Sequence, residues 1–216
     1  MTVFKNLKAS LAVLGVLASP ALISAAHAHD GDGMDSRLYV GVGAGLNEVK
    51  DSTPSNGNTY DFGTGYNIAG TVGYKVTPNI RTELEVDYRR AGMNNINGVA
   101  ANGAQKTLSA SANVLYDFNN SSKITPYIGG GVGIARQRWS NVNTGAGTPN
   151  INDSDHSFQW QLIGGVSTPI SPRTALFVDY RYIGVADAKL NGTGGTVVAD
   201  HYDHSHNVLG GVRYFF

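Results

Sequence analysis

Residues 81 to 89 read Arg81-Thr82-Glu83-Leu84-Glu85-Val86-Asp87-Tyr88-Arg89. Successive side chains of a strand point to opposite faces. Arg81, Glu83, Glu85, Asp87 and Arg89 therefore share one face. Thr82, Leu84, Val86 and Tyr88, with Ile80 before them, share the other. Helices and loops do not produce alternation this strict. The stretch predicts a strand with one apolar face and one fully charged face.

The same template recurs at 38–46, 66–75, 107–118, 125–135, 157–167, 174–183 and 206–216, which makes eight strands in all. Their apolar faces carry aliphatic and aromatic residues. Their other faces carry Asp117, Asp179, Arg181 and Arg213, together with Gly41, Gly43, Gly45, Gly129, Gly131 and Gly133. A soluble sandwich or lipocalin-like barrel would show the same alternation with its apolar face inward. Three features select the inverse arrangement, a closed all-β antiparallel transmembrane barrel.

Loop length is the first. Short connections (76–79, 119–123, 168–173) alternate with long ones (47–65, 90–106, 136–156, 184–205). Transmembrane barrels combine short periplasmic turns with long extracellular loops, here four of them. The second is aromatic placement on the apolar face. Tyr74, Tyr116, Phe118, Tyr214 and Phe216 fall at the short-turn end, and Tyr88, Phe158, Trp160, Tyr180 and Tyr182 at the long-loop end. Together they form two girdles for the two membrane interfaces. The third is the charged face. Arg81, Glu83, Glu85, Asp87, Arg89, Asp117, Asp179, Arg181 and Arg213 include both signs, so an inward network can pair them. Closure also satisfies every backbone group in lipid.

Composition excludes other classes. The 216 residues contain no cysteine, which rules out a disulfide scaffold, Cys-ligated zinc and a lipoprotein anchor. Sixteen basic residues balance 16 acidic ones, without the basic excess that nucleic-acid binding needs. Charged residues make up only 15%. The 28 glycines disfavour long helices.

Lys5 and Lys8, the apolar run Leu11–Ile23 and Ala26-His27-Ala28 form the three-part layout of a secretory signal peptide. Pro20 interrupts the run, which is shorter than a membrane-spanning helix requires. Cleavage after Ala28 gives a 1–28 signal, a short periplasmic segment at 29–35 and a barrel at 36–216. It removes two lysines and no acid, leaving a mature charge of −2. A weak internal repeat links Val86-Asp87-Tyr88-Arg89 to Val178-Asp179-Tyr180-Arg181, and Tyr39-Val40-Gly41 to Tyr127-Ile128-Gly129.

Leu38-Tyr39-Val40-Gly41-Val42-Gly43-Ala44-Gly45, Thr125-Pro126-Tyr127-Ile128-Gly129-Gly130-Gly131-Val132-Gly133 and Gly210-Gly211-Val212-Arg213-Tyr214-Phe215-Phe216 resemble the opacity-protein and surface-antigen group of Gram-negative outer-membrane proteins, the porin family. The resemblance spans the expected mature chain. It implies residence in the cell outer membrane, with lipid and lipopolysaccharide as surroundings. The closing residues Gly211, Tyr214 and Phe216 resemble the signal that barrel-assembly machinery reads. Leu209 departs from the polar residue common two before the glycine. Related proteins can carry a peptidoglycan-binding domain after the barrel; ending at Phe216, the chain is expected to lack it.

An eight-stranded barrel is just wide enough for side chains. The inward glycines either make room for long Arg and Glu side chains, giving a plug, or leave a narrow water path. His201, His204 and His206 are weak metal or haem candidates, with His156 as a possible fourth ligand. His204-Ser205-His206 is the one Ser/His cluster near the outer leaflet, where a lipid A-modifying barrel enzyme would need its nucleophile and base. Ser205 points away from both neighbours on a strand. The expectation is therefore no catalytic activity, no cofactor and no nucleic-acid partner. The expected role is membrane integrity, adhesion or antigen display to extracellular surfaces. A narrow channel or small-solute transporter is the alternative.

Overall fold

The computed structural model describes residues 37–49, 60–96, 99–100, 102–143, 151–186, 189–192, 195–198 and 203–216. The expected signal peptide, the 29–35 segment and His201 lie outside the described residues. The described strands are β1 (Leu38–Val49), β2 (Tyr60–Phe62), β3 (Gly65–Lys75), β4 (Ile80–Ile96), β5 (Val99–Ala100), β6 (Asn102–Asp117), β7 (Thr125–Asn143), β8 (Ile151–Ser171), β9 (Thr174–Val185), β10 (Lys189–Gly192), β11 (Gly195–Val198) and β12 (Asp203–Phe215). Eight of them (β1, β3, β4, β6, β7, β8, β9 and β12) pair antiparallel in chain order, and β12 returns to β1 from Tyr39↔Phe215 to Val49↔Ser205. These eight strands form a closed sheet. Strands β2 and β5 flank β4, and the β10–β11 hairpin attaches to β8.

One line of paired residues fixes the barrel's dimensions. Tyr39 faces Gly73, which faces Glu83, and the line continues through Asn113, Gly131, Gln161, Ile183 and Ser205 to Val49. It returns to β1 ten residues above its start. With standard strand spacing this stagger tilts the strands by about 40° and sets a barrel radius of about 8 Å. Every member of the line is odd-numbered, and odd positions point inward between the bulges of the eight barrel strands.

Two of the four expected long loops are largely strand. β4 and β6 continue through most of 90–106, and β7 and β8 through most of 136–156. Part of 184–205 forms the β10–β11 hairpin. The apolar alternation stops where lipid stops, but the backbone ladder does not. Above the membrane both faces of a hairpin meet water, and the period-2 signature vanishes. Bulges fall in these rims, between Asn102 and Ala104 and between Trp139 and Val142, as is common at barrel edges. At the opposite end the 76–79 turn is tied by Thr77, whose Oγ1 accepts from the amides of Asn79 at 3.2 Å and Ile80 at 2.9 Å.

The inward glycines give up their side-chain space to their neighbours. A Cβ on Gly73 would lie 2.1 Å from Tyr39 Cζ, and one on Gly165 would lie 2.7 Å from Tyr127 Cζ. Gly131 leaves room for Asn113, Gly129 for Leu115, and Gly211 for Phe177. The space thus goes mainly to neutral side chains and backbone of the flanking strands, while at Gly41 a Cβ would lie 3.5 Å from Arg213 Cγ, the kind of neighbour the sequence suggested. Gly73→Ala is expected to destabilise the barrel by about 1–3 kcal/mol through overpacking. Lipid-facing Gly70, where a Cβ would meet nothing within 4 Å, should tolerate the same change. Urea unfolding of the two variants in bilayers measures the difference.

Candidate functional site

The interior is the most elaborate chemical feature of the molecule. Arg81, Glu83, Glu85, Asp87, Arg89, Asp117, Asp179, Arg181 and Arg213 all point into it, none more than 9% exposed. They connect in three tiers.

The lower tier lies at the short-turn end. Arg81 bridges Glu83 at 2.5 Å and Asp117 at 2.9 Å. Tyr39 donates its hydroxyl to Glu83 at 2.7 Å and accepts from Arg81 at 3.0 Å. Arg213 lies 3.7 Å from Glu83, donates to Tyr127 at 3.2 Å, and stacks over Phe177 at 4.2 Å. Tyr127 passes the network upward by donating to Asp179 at 3.2 Å.

The middle tier is centred on Arg181, which bridges Glu85 at 2.5 Å and Asp179 at 2.9 Å. Gln161 donates to Glu85 at 3.2 Å and to Asn113 at 2.7 Å. In the upper tier Arg89 lies 2.9 Å from Asp87 and donates to Gln159. Ser109 donates to Asp87, and Asn67 to Asn207 at 3.3 Å. Such density is needed because a buried charge is tolerable only when paired and hydrogen-bonded.

The network includes residues outside the charged set. Tyr39, Tyr127, Phe177, Asn113, Gln159 and Gln161 are as much a part of it. Their odd-numbered positions, in phase with the charges on neighbouring strands, were the available signal.

Recesses enter from both ends. A cavity of about 260 Å³ opens at the short-turn end beside Tyr39, Lys75, Arg81, Asp117 and Arg213. At the other end about 20 Å³, the space of one water, lies among Arg89, Gln105, Gln137 and Ser205. Between them Glu85, Gln161 and Arg181 are each no more than 3% exposed.

The outward face is apolar between two aromatic belts. Tyr116 and Phe118 pack edge to face at the short-turn end, as do Tyr214 and Phe216, with Tyr74 on a neighbouring strand. Tyr88, Phe158, Trp160 and Tyr182 lie toward the opposite end. Tyr66, which the sequence reading passed over, joins them at 6.3 Å from Tyr88.

Tyr180 is a correction. Its ladder partners Gly164 and Val208 lie within the apolar runs of β8 and β12, and the strand tilt places it about 11 Å above Tyr39, near mid-membrane. The stagger that sets each strand's depth is not visible in a single strand's residues. Its hydroxyl is satisfied by His206 Nδ1 at 2.5 Å.

His204 and His206 also face outward. His204 stacks on Tyr182 at 5.3 Å between ring centroids. The described residues contain no group of three or more His, Asp or Glu that could hold a metal. Ser205 points inward and is buried, on the opposite face from both histidines. Gly211 forms the floor under Phe177, and Phe216 closes the final outward aromatic pair.

An apolar outer band bounded by aromatic belts, around a closed antiparallel barrel with a polar core, defines a transmembrane β-barrel of the bacterial outer membrane. The chain belongs to the outer membrane protein beta-barrel domain family, whose model matches residues 9–216. Its place is therefore the cell outer membrane. An uncharacterized protein of Brucella abortus (strain 2308) is 25% identical over 197 residues, covering 71% of this chain and 69% of the relative. Neisserial surface protein A superposes with a TM-score of 0.57 at 23% identity, over 83% of this chain and 97% of that one. The outer membrane protein OprG of Pseudomonas aeruginosa superposes with a TM-score of 0.61 at 14% identity, over 85% and 99%. The likeness to these two structures is one of fold.

Proposed function

We propose that this barrel is a sealed scaffold with a structural and surface-exposed role, serving membrane integrity, adhesion or antigen display, and that it catalyses no reaction. The carrying observation is the middle tier of Glu85, Gln161 and Arg181, bonded to one another and buried between the two recesses. A filled lumen leaves function to the exterior. The β4–β6 and β7–β8 hairpins, which extend past the last lipid-facing residues, are the natural contact elements for extracellular ligands. Ser205 and its flanking histidines face opposite ways, which argues against acyl-transfer chemistry there. Outer-membrane lipid and lipopolysaccharide are the surrounding partners. Barrel-assembly machinery reads Gly211, Tyr214 and Phe216 during biogenesis.

The recesses at both ends favour a narrow channel as the second reading. Planar-bilayer recording separates the two. The folded protein is expected to give no reproducible single-channel openings, and regular openings would establish the channel. Shortening the β7–β8 hairpin within 140–150 is expected to reduce attachment of expressing cells to host surfaces while the barrel still folds. Unchanged attachment would remove the adhesion role.

A further inference from the structure

The two ends of the barrel are unequal. The recess at the long-loop end has the space of one water, whereas the one at the short-turn end has about 260 Å³. All eight barrel strands contribute to the wall of the larger recess, which is the mouth of the lumen beneath the lower tier.

Two guanidinium groups border this mouth. Arg213 donates to Tyr127 at 3.2 Å, but it reaches Glu83 only at 3.7 Å, beyond hydrogen-bond length. Arg81 is 3% exposed and directs Nε to Asp117 and Nη1 to Glu83 and Tyr39. Its Nη2 is buried with no hydrogen-bond partner among the described residues. The Arg81 guanidinium also lies over the Tyr127 ring at 4.5 Å. That contact engages the face of the cation and leaves the in-plane Nη2 without an acceptor. A buried donor left this way is costly, and native proteins normally meet it with water or a bound ion.

Lys75 adds a third cation to the wall, with Nζ 4.7 Å from the centre of the Phe215 ring. Against these three cations the lower tier sets two acids, Glu83 and Asp117, of which Asp117 alone borders the recess. The rest of the wall is largely apolar, with Tyr39, Pro78, Pro169, Ala175 and Phe215. A concave site of this kind suits a ligand with a hydrocarbon body and one anionic end. Asp117 disfavours a second negative charge.

We infer that the short-turn recess binds a small monocarboxylic acid. Its carboxylate faces Arg213 and Arg81, whose planar groups offer paired N–H donors to carboxylate oxygens. Its hydrocarbon end lies against Ala175 and Phe215. Inorganic phosphate has the charge without the apolar end, and a dicarboxylate brings a second charge to Asp117. The recess lies on the periplasmic side of the middle tier, so the site stands whether or not the lumen conducts.

Side-chain NMR of the refolded protein, isotope-labelled at arginine and titrated in detergent micelles with butyrate, succinate or inorganic phosphate, tests this. Butyrate is expected to shift the Nε–H signals of Arg81 and Arg213 saturably. It should bind at least tenfold more tightly than succinate or phosphate. Arg213→Gln should weaken butyrate binding at least tenfold, read from the Arg81 signal. Ser167→Phe fills the recess without removing a charge and should abolish the shifts. Heat-modifiable migration in gels reports folding, and Ser167→Phe decides the matter if Arg213→Gln fails to fold. Asp30, Asp32 and Asp35 precede β1 in the chain and are a second source of carboxylate, so Asp30→Asn with Asp32→Asn and Asp35→Asn is titrated in parallel. Butyrate binding seen only in that triple variant would assign the site to the chain's own carboxylates and overturn the free-acid reading. No saturable shift in either the wild type or the triple variant would overturn the site, as would the same shift in folded Ser167→Phe. Succinate or phosphate binding as tightly as butyrate would make it a general anion site and overturn the monocarboxylate assignment.

Discussion

Arg181→Ala is expected to destabilise the barrel by about 3–5 kcal/mol, the usual consequence of leaving a buried charge uncompensated. Among the described residues, Arg181 is the one cation that touches both Glu85, at 2.5 Å, and Asp179, at 2.9 Å. Its removal strands two carboxylates in the middle tier, with Gln161 and Tyr127 as their remaining neutral donors. Arg181→Lys should fall between the two, because one ammonium cannot reproduce guanidinium bonds made from Nε and Nη1 to two different acids. Removing charge from both sides, as in Arg181→Met with Glu85→Leu, should cost less than the two single changes combined, since neither orphaned partner remains. Urea unfolding in lipid bilayers gives these values. A cost under 1 kcal/mol for Arg181→Ala would mean that water reaches the tier and screens it.

Leu162→Arg is the second large effect. Leu162 faces outward on β8, 57% exposed in the isolated barrel, about 13 Å above the level of Tyr39 by the strand tilt. An arginine at this depth in lipid should cost about 2–4 kcal/mol, falling to about 0–1 near an interface. Val166→Arg, four residues nearer the short-turn end of the same strand, provides that interfacial comparison. In a water-soluble protein both would be ordinary surface changes within about 0.5 kcal/mol. The difference between the two positions therefore reads membrane depth directly.

The architecture was legible because period-2 alternation survives wherever one face meets lipid. Residues 81–89 already placed five charges inside and fixed the phase. What the sequence hid has physical causes. Beyond Arg90 and Arg136 the strands continue through water, both faces become polar, and strand looks like loop. Arg90, Lys106, Arg136 and Arg138 fell in segments read as connections for that reason, although all four lie in strands. Tyr180 was misplaced because strand position predicts depth only once the ten-residue stagger is known. The glycines were recognised as inward, but which neighbours fill their space depends on register. Only the ladders show that Tyr39 lies over Gly73 and Tyr127 over Gly165.

The central claim is that even positions face lipid while odd positions fill a sealed polar core. The absence of native cysteine permits a clean test on β6, where Ser109, Ala110, Ser111 and Ala112 alternate and cysteine is close in size to each. Single-cysteine variants are labelled with a bulky fluorophore in urea and then refolded into bilayers containing brominated lipid. The labels at Ala110→Cys and Ala112→Cys are expected to permit folding and to be quenched by the brominated chains. Those at Ser109→Cys and Ser111→Cys should block folding, because the core has no room for them. Folded protein carrying labels at Ser109→Cys and Ser111→Cys that aqueous iodide quenches would contradict the sealed barrel.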